Sequence, residues 1–103
     1  MRNEAFLRLF AGSGRRKLEN GLELCVVPAY EVLQSRREAM DACGEDEQTL
    51  GLWMNACLLA RAIYRDDARA FSGGEALMRA APAEQIERWT EDYAALCREE
   101  NPA

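Results

Sequence analysis

The chain has no histidine, no Cys-x-x-C pair and no apolar run near the roughly 20 residues that span a bilayer. Each absence excludes something. Without histidine, the side chain best suited to proton transfer near neutral pH is missing, and so is the commonest metal ligand. Four cysteines, Cys25, Cys43, Cys57 and Cys97, are scattered beside apolar neighbours, a pattern of reduced core fillers rather than zinc ligands or a disulfide framework. Neither G-x-x-x-x-G-K-[ST] nor G-x-G-x-x-G occurs, since Gly12-Ser13-Gly14 lacks a third glycine and the strand-to-helix setting. Asp66-Asp67, with Glu75 beyond, lacks the alternation of a calcium loop. No cofactor, no metal site and no catalytic residue is expected, and the chain reads as a non-enzyme.

Basic charge is also scarce. The net charge is −5 over 103 residues, and the only basic cluster, Arg15-Arg16-Lys17, is too small for a nucleic-acid face. The distribution is polar: residues 1–18 hold five basic and one acidic side chain, whereas residues 84–103 hold two basic and six acidic. The basic strand is therefore expected either against the acidic C-terminal helix, against an acidic partner, or solvated as a charged edge. The apolar stretch in residues 1–10 is too short and interrupted for a signal peptide, so a cytoplasmic protein with no membrane segment is expected.

At 49% apolar residues, the length suits one domain with a modest core. Residues 1–14 form a hydrophobic arm, with Phe6, Leu7, Leu9 and Phe10, ending in the Gly-Ser-Gly hinge. Residues 15–103 form the single domain, a β-hairpin over 15–27 and a helical body over 28–100. Asn20-Gly21 specifies the hairpin, because a two-residue type I′ turn needs positive φ at both central positions. Everything after Pro28 reads as helix. The first helix runs from Pro28 at its first position to Cys43, with Gly44 as a left-handed stop, and turns Val32, Leu33, Met40 and Cys43 inward. Asp46 is the expected N-cap of a central helix from Leu50 to Tyr64, apolar on more than one face and hence surrounded. Ser72 and Glu75 have capping-box spacing for a short third helix, and Pro82 opens a last helix to about Glu99. Ile86, Trp89, Tyr93, Leu96 and Cys97 form its inner stripe. The fold class is mainly α, about four helices with an N-terminal β-hairpin arm.

The order of elements resembles one family over nearly the whole chain. Ala5-Phe6-Leu7, the linker, the hairpin with Leu22, Leu24 and Val26, and the helix opening at Pro28 resemble the start of phage tail assembly chaperones. Leu58 to Tyr64, the turn Asp66-Asp67-Ala68-Arg69-Ala70-Phe71 and the two closing helices look like that family's second half, with Ala68 where a turn glycine is usual. The resemblance implies a small helper in the host cytoplasm that binds the tape measure protein, helps recruit tail tube protein and is absent from the finished tail. It leaves room for a homo-oligomer. The alternative from a different class is a small acidic helical adaptor or inhibitor of a host protein. Aromatic anchors dominate interface energetics, so Phe6, Leu7, Phe10 and Trp53, then Trp89 and Tyr93, are the partner-binding candidates.

Overall fold

A computed structural model of the chain describes residues 14–100. Strand β1 (Arg15–Lys17) and strand β2 (Leu22–Cys25) pair antiparallel, Arg15 opposite Cys25 and Lys17 opposite Glu23. Asn20 and Gly21 both take positive φ, 61° and 76°, as the type I′ turn demands, and the Leu22 N–H closes it on the Glu19 carbonyl. The hairpin carries one residue more than the minimal form. Leu18 donates to the Leu22 carbonyl at 2.8 Å, so Leu18 and Glu19 together oppose Leu22. That is a β-bulge, which raises the local twist.

The chain after Pro28 is not all helix. Helix α2 (Leu50–Ala62) stops two residues before the expected Tyr64, and Ile63–Arg65 become strand β3, paired with β2 through Leu24 opposite Ile63. Asp66 and Asp67, at φ 54° and 68°, then turn the chain into β4 (Ala68–Arg69), with Arg65 opposite Ala68. The segment expected as a polar turn is thus a second two-residue hairpin. Asp tolerates the left-handed region through its short polar side chain, so no glycine is needed at position 68. The four strands form one antiparallel sheet in chain order. Leu22, Leu24 and Ile63 point from one face into the core.

Helix α1 (Ala29–Cys43) has Pro28 as its N-cap, one residue earlier than expected, and Gly44 ends it at φ 60°. Its packed face is also not the expected one. Ser35 and Ala39 are the buried residues, whereas Leu33 and Met40 are exposed. At 100° per residue, the contact line through Ser35 and Ala39 lies about a quarter turn from the centre of the Val32, Leu33, Met40 and Cys43 face. Small residues four apart let α1 approach α2 closely, and that contact prevails over apolar count.

Both expected helix caps are replaced. Asp46 makes no side-chain cap; a single turn over Glu47–Thr49 precedes α2, and Thr49 Oγ1 donates to the Asp46 carbonyl. Helix α3 (Gly74–Ala80) starts with Gly73 as N-cap, without a bond from Ser72, and Glu75 bonds Arg79 instead. The Gly74 N–H donates to Glu38 Oε2 at 2.9 Å, so α1 supplies the cap from across the fold. Helix α2 is surrounded only in its C-terminal half, where Ala56, Cys57, Leu59, Ala60 and Ala62 are buried; Gly51 and Leu52 are exposed.

Helix α4 (Ala83–Glu100) buries Ile86, Trp89, Tyr93 and Leu96 on the expected stripe, with Cys97 packed beside it. Phe71 meets Trp89 with ring centroids 6.2 Å apart. The Val27 N–H donates to Tyr93 Oη, fixing the chain between β2 and α1 against α4. Arg16 reaches α4 as the charge polarity suggested, pairing with Glu99 at 2.6 Å and Asp92 at 3.8 Å.

Burial sets an alkaline limit on this core. It pushes the Cys57 thiol up to about 12 from an ordinary 9.0, with the Glu38 charge adding to the effect, and raises the Tyr93 hydroxyl as well. Both groups are protonated when folded and ionise more readily when unfolded. Their stabilisation is therefore complete below pH 9 and is lost as pH rises from about 9 towards 12. Urea midpoints measured from pH 7 to pH 11 should hold level and then fall above pH 9. A flat midpoint throughout would contradict the burial of both groups.

Candidate functional site

Two surfaces concentrate unusual side chains. The first is the outer side of α1. Tyr30 is 66% exposed, Leu33 44% and Met40 61%, large apolar groups that the fold leaves in water. Together with exposed Arg37 they occupy positions 30, 33, 37 and 40, a 3-4-3 spacing. That spacing repeats every 3.5 residues and aligns one seam along a helix, the geometry by which a helix receives a second helix alongside it. The exposure follows from the rotation that seats Ser35 and Ala39 against α2.

A groove of about 480 Å³ opens between the ends of α1, α2 and α3, lined by Ala42, Trp53, Glu75, Met78 and Arg79. Trp53 is half-buried there, with an aromatic edge available to a partner. Trp89 and Tyr93 are buried in the core, so their place is structural. Phe6, Leu7 and Phe10 lie outside the described residues. The sequence reading selected aromatic residues and placed Leu33 and Met40 inside. The signal that reverses this is the Ser35-x-x-x-Ala39 pair, whose small side chains mark the closer helix contact.

The second surface is a cavity of about 330 Å³ between the sheet and the first turn of α1. Register dictates which side chains reach it. Arg15 opposes Cys25, Glu23 opposes Tyr64 and Tyr64 opposes Arg69, so all five point away from the Leu24 and Ile63 face. Arg61 enters from the last turn of α2 and Glu31 from the first turn of α1. Glu31 Oε1 receives both Arg61 Nη1 at 2.5 Å and Arg69 Nη2 at 3.1 Å. Donation from Arg61 holds the Glu31 carboxyl below the usual carboxylate range, with Arg69 contributing. Burial raises the Cys25 thiol, opposed by the Arg15 guanidinium beside it.

Among the described residues, no group of three Cys, Asp or Glu side chains is placed to hold a metal ion. No helix among them is long and apolar enough to cross a membrane. No family model, curated protein or solved structure matches the chain. The case for a function therefore stands on the two surfaces and on the ordered pattern of elements.

Proposed function

We propose that the chain is a phage tail assembly chaperone, binding an apolar helix of the tape measure protein during virion assembly and helping to recruit tail tube protein. One observation supports this above the others: the exposed seam of Tyr30, Leu33, Arg37 and Met40 on α1. A long helical partner presents the complementary surface, and Arg37 within the seam favours a partner helix with an acidic residue at the facing level. The acidic exterior keeps such a complex dispersed, and a seam of four positions gives the moderate affinity that release requires. The Trp53 groove offers a second contact for tube protein or for the same partner's flank.

Co-expression with the tape measure protein tests the reading. The wild-type chain should raise that partner's soluble fraction and co-purify with it. Replacing Leu33 and Met40 together by glutamate should reduce capture roughly a hundredfold, about 3 kcal/mol of lost apolar burial. Because both side chains are already solvent-exposed, the midpoint of unfolding should move little. Equal capture by the double variant would remove the seam from the interface, and no effect of the wild-type chain on the tape measure protein would remove the chaperone reading.

A further inference from the structure

We propose that the arginine-lined cavity between the outer face of the sheet and α1 is a binding site for the phosphate group of a small molecule. Three guanidiniums, Arg15, Arg61 and Arg69, line it against a single lining carboxylate, Glu31. The other acidic neighbours do not line it and are held at longer range: Glu23 and Asp67 stand 3.6 and 3.8 Å from Arg15, and Glu38 stands 3.7 Å from Arg61. Glu31 satisfies one N–H of Arg61 and one of Arg69 through one oxygen. Arg61 Nε is buried and has no acceptor. A buried charged donor without a partner carries a desolvation penalty that an incoming anion would remove.

The wall thus carries an excess of two positive charges, which matches a dianion better than a single carboxylate. Phosphate also presents three oxygens in different directions, suited to forked guanidiniums that converge from β1, α2 and β4. Val26, Val27 and Pro28 form the remaining apolar side, so the site has room for an organic body behind the phosphate. A volume of about 330 Å³ is at the small end of ligand pockets, the size of a compact metabolite rather than a polymer. The overall charge of −5 repels anions generally, so binding at this one place would be local and selective.

The site lies away from the α1 seam and does not depend on it. Titrating the full chain with inorganic phosphate, phenyl phosphate, acetate and chloride at matched ionic strength, followed by amide chemical shifts and thermal midpoints, tests it. Both phosphates should shift amides at Arg15, Cys25, Val27, Arg61 and Arg69 and raise the midpoint, with phenyl phosphate tighter. Arg69→Gln should weaken phosphate at least tenfold, and Arg15→Gln, on another strand, provides the same check if the first variant folds poorly. Arg88→Gln on α4 should bind as the wild type. Phosphate acting no more strongly than chloride, acetate equalling phosphate, or either cavity variant binding as tightly as the wild type would each overturn the assignment.

Discussion

Leu24→Ala is expected to lower the unfolding free energy by about 4 kcal/mol, the largest effect of any single truncation in this chain. Leu24 is fully buried on β2, paired with Arg16 on one side and Ile63 on the other. Its side chain belongs to the cluster that joins the sheet to α2 and α4, together with Leu59, Ile86 and Leu96. The sheet walls cannot collapse into the space, because β2 is hydrogen-bonded on both edges and held between two hairpins. The cavity term therefore adds to the transfer term in full. For a domain of this size the thermal midpoint should fall by roughly 15–25 °C. Urea unfolding with an unchanged slope provides the measurement, and a loss below about 1.5 kcal/mol would mean that the sheet is an appendage rather than a wall of the core.

Centrality of the sheet is also where the sequence was least legible. Asn20-Gly21 announced the first hairpin because both residues favour positive φ. Asp66-Asp67 adopts the same conformation, but Asp-Asp is as common in loops and helix starts, so its signal is weak. Ile63 and Tyr64 continue the helical spacing of Leu59 and Ala60, and only pairing with β2 converts them to strand. Periodicity reports which faces are apolar, not which hydrogen-bond partner arrives from 40 residues away. The helix stripe of α4 was legible for the opposite reason: Ile86, Trp89, Tyr93 and Leu96 are large, evenly spaced and face one core.

The two surfaces divide along the same line. Trp53 at an open groove was accessible to reasoning from residue type alone. The seam on α1 was hidden because Leu33 and Met40 look like core until Ser35 and Ala39 take the contact. The arginine cavity left no local trace at all. Arg15, Arg61 and Arg69 come from three elements, and strand register is the only thing that brings the first and last to one face.

Gly74→Ala should cost about 3 kcal/mol, against the gain of up to about 1 kcal/mol that the same change brings at an ordinary helical position. Gly74 is the first residue of α3, buried against α2. A Cβ there would lie 2.5 Å from Cys57 Sγ and 3.1 and 3.2 Å from the Cys57 N and Cα. The sulfur could be displaced by a rotamer change, but the backbone contacts would remain, so α3 itself would have to move. That motion would pull the Gly74 N–H from Glu38 and open the capping bond that ties α1 to α3. The sign of the effect is the test. A double-mutant cycle then separates its parts: Cys57→Ala removes the 2.5 Å overlap and leaves the backbone contacts, so it should recover about half of the loss, a coupling of 1 kcal/mol or more. Full additivity, or a stabilising Gly74→Ala, would show that α3 does not rest on Cys57.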